Sequence, residues 1–463
     1  MRSMAASRGA MGVLVATLVL ATASLVIATA AAAQAPAGGP EPEDAPPLRL
    51  GAQATGLLTH STPVPGGTAL TEAYLIEPVI FAGLRLVGGA DPGGGPAADG
   101  ATHDPDAAVP NRTTGTDMAT PATRATVAAR TTINLEGWTL ERGELAVGNA
   151  GEGYVDRRHP HTLLHEAVAT ASAARAGWSA SVTAGRGFAP FGTDDPMVRP
   201  FMKYPANHHL AQILERWILV GAVGRAPVLI EAGLFNGDEP VDPWDLGRVR
   251  RFGDSWSVRA TVRPRPWLEL QASRASVESP EHDAGAGLDQ RKWSASARLD
   301  VSMSGAAHVY LLAEWAETSD WSASERVYVF RSFLGEAAWR RTGWMLAGRL
   351  ERTTRPEEER LSNVFRSVRP HGDENIVGVT RWTTATLHAE RGWSFGVLGV
   401  APFVEASYSA VSERTGSIFD PVALYGDDRL WTLSLGLRLR GGARHGRMGR
   451  YGVAVPAGES MHE

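Results

Sequence analysis

The chain has 463 residues, no cysteine, and 45 basic against 50 acidic side chains, for a formal net charge of −5. The lack of cysteine excludes a disulfide framework and thiolate metal sites. The slightly acidic balance leaves no electrostatic footprint for nucleic acid. The length allows several small domains or one large sheet.

At the start of the chain, Arg2 and Arg8 precede an uncharged run from Met11 to about Ala28, followed by small residues through "ATAAAAQA". Charge, apolar core and small residues in that order form a secretory signal. Ala31 and Ala33 supply the A-x-A cleavage pattern, so residues 1–33 are expected to be removed. A retained membrane-anchor helix is the alternative, because the run is nearly long enough to span a bilayer. Cleavage would leave 43 basic and 50 acidic side chains, a mature net charge of −7. Residues 34–47, "QAPAGGPEPEDAPP", read as a flexible lead-in.

From residue 48 onward the recurring signal is alternation with period two, the mark of strands with one apolar and one polar face. In "SWSVRATVR" Trp256, Val258, Ala260 and Val262 oppose Ser257, Arg259, Thr261 and Arg263. In "KWSASARLDVSM" Trp293, Ala295, Ala297, Leu299, Val301 and Met303 oppose a face with Arg298 and Asp300. In "LWTLSLGLRLR" Trp431 and Leu433 to Leu439 oppose Thr432, Ser434 and Arg438. Such runs match a tilted bilayer crossing better than a typical globular strand. About sixteen runs can be counted, starting near 48, 72, 130, 163, 177, 209, 227, 254, 267, 292, 307, 325, 343, 376, 394 and 429.

The connections alternate as well. Tight links near 174–177, 222–227, 263–266, 304–306, 340–343 and 390–392 separate polar segments at 187–208, 236–253, 278–291, 355–374 and 412–428, with a shorter one near 318–325. Residues 88–130, rich in Gly, Pro, Thr and Ala, fall on the turn side and are expected to be disordered. Trp256, Trp293 and Trp431 open strands that leave long loops, Trp315 ends one that climbs to a loop, and Trp178 and Trp344 follow tight turns. These tryptophans predict two aromatic belts.

Across residues 48–440 this pattern resembles the bacterial outer-membrane porins and porin-like barrels, in architecture rather than through a diagnostic motif. The resemblance implies an all-β, transmembrane antiparallel barrel of about sixteen strands with short periplasmic turns and long extracellular loops, in a Gram-negative-type envelope. It also implies a water-filled lumen, contact with outer-membrane lipid, and passage of small hydrophilic solutes or ions, with no cofactor. Neither the solute nor the choice between monomer and homo-oligomer is fixed. Wall candidates are Arg259, Arg263, Glu269, Arg298, Asp300, Glu314, Arg349, Glu351 and Arg438. Porins of this size fold the long loop after the fifth strand into the lumen. Here that loop is "GFAPFGTDDPMVRPFMKYPANHH", with Asp194, Asp195, Arg199 and Lys203 as constriction candidates. The chain departs from the usual barrel ending by running on as a tail, 441–463.

"RRHPHTLLHE" places His159, His161 and His165 beside Glu166. A zincin would need a histidine at 169, where Ala169 stands, and alternation puts His165 and Glu166 on opposite faces. Two readings remain: interfacial hydrogen bonding of a loop end, or metal capture by His159 and His161 completed by His208 and His209. An outer-membrane hydrolase using the Asp194–Asp195 pair, and a filled barrel serving as a binding scaffold, are the alternatives to a channel. No catalytic residues are assigned.

Overall fold

A computed structural model describes residues 48–64, 67–88, 124–139, 161–193, 196–202, 205, 208–240, 243–282, 284–303, 307–358, 376–413 and 420–455. The strands are β1 (Leu48–Val64), β2 (Thr68–Gly88), β3 (Arg124–Asn134), β4 (Leu164–Arg175), β5 (Trp178–Gly187), β6 (Arg216–Arg225), β7 (Val228–Phe235) and β8 (Ser255–Arg265). They continue as β9 (Leu268–Val277), β10 (Asp289–Met303), β11 (Ala307–Ser322), β12 (Glu325–Arg341), β13 (Trp344–Glu358), β14 (Ile376–Arg391), β15 (Leu398–Glu413) and β16 (Arg429–Gly442). A short segment, Trp393–Phe395, carries β14 past Gly392 and pairs with the same neighbour, β15.

Every strand pairs antiparallel with its sequence neighbours, and the last closes on the first along a ladder from Gly51–Gly442 to Thr62–Trp431. The result is a closed barrel of sixteen strands. Closure removes the unpaired edges that an open sheet of this size would present. Two-residue turns join strands at one end. Ala176–Gly177 and Thr342–Gly343 both have φ near +50° and +80°, the left-handed pair that matches the twist of a tight hairpin. The longer connections gather at the opposite, loop end.

The alternation is physically realised across the wall. Leu433, Leu435, Leu350 and Leu387 are among the exposed apolar residues, the last two about 70 % exposed, while Ser257, Thr261, Ser294, Thr384 and Ser434 are buried inside. Inward hydroxyls pair across strands, as in Thr170–Thr183 at 2.9 Å, Thr384–Ser409 at 2.9 Å and Thr59–Ser434 at 2.6 Å. Exposed tryptophans lie near both rims: Trp256, Trp293 and Trp431 toward the loop end, and Trp178, Trp344 and Trp393 toward the turn end. Arginines stack on them, Arg274 lying 4.7 Å from the Trp293 ring and Arg225 5.5 Å from that of Trp178.

Three boundaries differ from those read from the sequence. The sixth strand starts at Arg216 rather than near 209, because Leu210, Ala211 and Ile213 are buried as loop anchors. The loop expected near 318–325 is almost all strand, since β11 and β12 run on to a turn at 323–324. Arg124–Arg130, placed in the disordered insertion 88–130, form most of β3, paired with β2 and β4. The remainder of that insertion, 89–123, lies outside the described residues, as do the expected signal 1–33 and lead-in 34–47.

Candidate functional site

Among the described residues, two chain segments enter the interior of the barrel. The first is the connection between β5 and β6, residues 188–215. Phe188, Ala189, Phe191, Met197, Phe201, Met202 and Leu210 are all buried, so the segment turns into the lumen and away from solvent. Gly192, at φ +67°, lies so close to the Ala211 carbonyl that no side chain fits there. Its N–H donates to Ser273 Oγ at 3.0 Å on β9. Farther along, Arg199 lies between Glu314 (3.3 Å, β11) and Glu336 (3.5 Å, β12), and Thr193 donates to Glu314. Glu336 also accepts from Arg349 at 2.9 Å and from the Tyr310 hydroxyl at 3.0 Å. The Arg349 guanidinium lies 4.2 Å from the Phe201 ring centre. Met202 N–H reaches Glu405 at 2.8 Å on β15, and its side chain packs on Leu57, Ile76 and Phe403. In a sixteen-strand ring these partners are on the far wall from β5 and β6, so the loop crosses the lumen.

The second segment is the chain after β16. Gly442, at φ +72°, turns it, Ala443 N–H bonds to the Leu50 carbonyl at 2.8 Å, and residues 443–455 lie inside the barrel. His445 Nε2 is 2.9 Å from Thr132 Oγ1. Arg447 forms a forked pair with Glu269 at 2.8 and 3.1 Å. Arg450, with no exposed surface, approaches Glu231 at 3.4 Å and Glu269 at 3.3 Å and also donates to Gln271. Wall arginines hold the tail backbone in turn: Arg259 donates to the Gly449 carbonyl at 2.6 Å and Arg130 to that of Arg450 at 3.3 Å. The two inserts touch where the Tyr451 hydroxyl accepts from Phe188 N–H at 2.9 Å.

The wall candidates lie on the inner face, most of them in ion pairs named below. Arg259 binds Glu231 at 2.6 Å, Arg263 binds Glu269 at 2.9 Å, Arg298 binds Asp300 at 2.7 Å, and Arg438 binds Glu390 at 3.1 Å. Glu314 and Arg349 take part in the Arg199 network, and Glu351 is buried on β13. Of the constriction candidates, Arg199 is placed as above, whereas Asp194, Asp195 and Lys203 lie outside the described residues.

The histidine stretch is organised differently from the expected four-histidine set. The β3–β4 register slips between Thr132 and Ile133, leaving His165 as the extra residue of a bulge, and a bulge re-aims its side chain. His165 and Glu166 are therefore both buried rather than on opposite faces. They serve different partners. Glu166 pairs with Arg130 at 2.7 Å, while His165 Nδ1 lies 2.6 Å and His161 Nδ1 3.5 Å from one oxygen of Glu215. Burial alone would raise the Glu215 carboxyl, but hydrogen bonds from His161 and His165 hold it well below its ordinary range. Glu215 itself adopts φ +57°, a conformation rare for a side-chain-bearing residue. His159 lies outside the described residues, and so do the side chains of His208 and His209.

Several participants were not singled out from the sequence. Glu231, Glu336 and Glu405 follow the period-two pattern of their strands and were open to the same reading as Glu269. Arg447, Arg450 and Tyr451 carry no such signal, because the tail is not a strand.

A closed antiparallel barrel with an apolar outer face, tryptophans near both rims and a charged interior has the architecture of outer-membrane barrels. None of the known protein families matches the sequence, and no curated protein matches it. Solved structures similar to it include an anion-selective porin from Comamonas acidovorans, at 9 % identity over 85 % of this chain and 99 % of that one, with a TM-score of 0.45. OmpT, an outer membrane protein of Vibrio cholerae, matches at 8 % identity over 86 % of this chain and 99 % of its own, TM-score 0.44. Salmonella typhi OmpF, in complex with daunomycin, matches at 11 % over 85 % and 97 %, TM-score 0.43.

Proposed function

We propose that this protein is an outer-membrane channel, exported by its N-terminal signal, in which small hydrophilic solutes or ions diffuse through a lumen narrowed by the inward loop and the C-terminal tail. The observation that carries this reading is the division of the wall: apolar and aromatic side chains outside, ionised pairs and hydroxyls inside. A barrel whose outer face meets lipid and whose inner face meets a polar lumen accounts for that arrangement. The charged groups of the inner wall, Arg259, Arg263, Glu269, Arg298, Asp300, Glu314, Arg349, Glu351 and Arg438, would set its ion preference. Asp194, Asp195, Arg199 and Lys203 would do so at the constriction.

The test is conductance of the purified chain in a planar bilayer: discrete steps are expected, and a folded protein that never conducts would overturn the channel. Leu435→Arg, on the outer face, should cost about 2–4 kcal/mol of folding in lipid, read from the denaturant midpoint. An unchanged midpoint would remove the lipid-facing assignment. A second reading, a filled barrel that serves as a binding scaffold, is favoured by how completely Arg450 and Tyr451 are enclosed. It is distinguished by a wild type that stays silent and a tail-deleted form that conducts.

A further inference from the structure

We propose that His161, His165 and Glu215 form a binding site for one divalent transition-metal ion of the zinc, copper or nickel type. The site ties the root of the inward loop to the β4 wall. It stands independently of the channel reading.

The ligand atoms of the three residues lie within 4.8 Å of one another, and all three residues are buried. Around a tetrahedral centre with bonds of about 2.0–2.1 Å, neighbouring donors stand roughly 3.3 Å apart. The His161–Glu215 separation of 3.5 Å already has that value, and the His165–Glu215 separation of 2.6 Å must open by under about 1 Å. Two imidazoles and one carboxylate form a donor set that suits zinc and its neighbours, and a fourth position remains for water.

One further feature points to a cation rather than to hydrogen bonding alone. One oxygen, Glu215 Oε1, receives Thr162 N–H at 2.9 Å as well as both imidazoles, more donors than a single carboxylate oxygen serves well. With the metal on Nδ1 of His165, its Nε2 carries the proton and the ring has one defined tautomer.

The scaffold is fixed before any ion arrives. Arg186 Nε donates to the Leu164 carbonyl at 2.9 Å and its Nη2 to Thr162 Oγ1 at 3.1 Å, while Leu163 N–H bonds to the Pro243 carbonyl at 2.7 Å. These bonds hold His161 and His165 on one curl. The bulge at His165 and the left-handed backbone at Glu215 are the two departures from regular geometry that aim the ligands at each other.

The experiment is titration calorimetry of zinc chloride into the untagged, chelator-stripped, refolded full chain, with cobalt(II) absorption as a second readout. One ion per chain and a tetrahedral cobalt spectrum are expected. Glu215→Gln, which keeps the shape of the side chain, and His161→Gln should each weaken binding at least about tenfold. A variant carrying His208→Ala and His209→Ala should bind as wild type does. Heat-modifiable gel migration verifies that each variant is folded. Lack of stoichiometric binding by folded wild type would overturn the site, as would affinity unchanged in both ligand variants. Binding lost in the His208/His209 variant but kept in Glu215→Gln would overturn it too.

Discussion

The two segments inside the barrel occupy it by different means. The β5–β6 loop is anchored at both ends by strands and is held chiefly by apolar side chains, Phe188, Phe191, Met197, Phe201 and Met202, with Arg199 as one charged brace. The tail follows β16 at Gly442 and, over the described residues 443–455, is braced by guanidinium–carboxylate pairs through Arg447 and Arg450. Withdrawing the loop would expose a row of buried apolar side chains, whereas the tail's Arg447 and Arg450 would exchange ion pairs for water. If the protein is a channel as proposed, the loop is expected to be the permanent constriction and the tail the removable one.

The largest expected effect separates the two directly. Deleting residues 443–463 should raise single-channel conductance several-fold, because the lumen beside β3 to β9 is emptied. Deleting residues 192–200 should raise it less, because the tail still fills that region. If the loop deletion gave the larger rise, the assignment of permanent and removable constriction would be reversed.

Next in size is the loss of one buried charge. Removing one member of a buried ion-pair network costs about 3–5 kcal/mol when its partners are left uncompensated. Arg450→Ala should fall at the lower end of that range, since Glu231 retains Arg259 and Glu269 retains Arg447. Because the loss falls on docking of the tail rather than on the strand ladder, it should appear as faster carboxypeptidase digestion of the tail with little change in the unfolding midpoint. Arg199→Ala should do the opposite, lowering the midpoint without exposing the tail. Identical behaviour of the two variants would erase the distinction between the inserts.

The smallest effect tests whether the inserts are coupled. Tyr451→Phe removes the acceptor of Phe188 N–H, and a buried donor left unsatisfied costs about 1–3 kcal/mol. Tail digestion should quicken modestly in this variant. The same substitution made in the loop-deleted protein should have a different effect if the contact transmits between them. Equal effects in both backgrounds would show that the tail docks independently of the loop.

Much of the barrel wall was legible in the sequence because a strand encodes its own faces. Trp256 to Val262 against Ser257 to Arg263 needs no knowledge of the partner strand to be divided into outside and inside. The sixth strand was misplaced because Leu210 and Ile213 are apolar for a tertiary reason, contact with the interior, that mimics a lipid-facing start. His165 was misread for a related reason. Period two holds only while the register does, and the bulge opposite Thr132 and Ile133 breaks it.

The sequence by itself determined the alternating strands, their number, the side-chain polarity of each face and the tryptophans near both rims. These are local properties, set by the two-residue period of an extended chain and by the side chains' own preference for lipid or water. Tertiary structure alone decided that the tail returns to the lumen, that Arg447 and Arg450 meet carboxylates nearly two hundred residues earlier, and that Glu215 joins His161 and His165. Those contacts link residues that share no strand period and no sequence neighbourhood, so they arise only once the sheet has closed and given both segments a common interior.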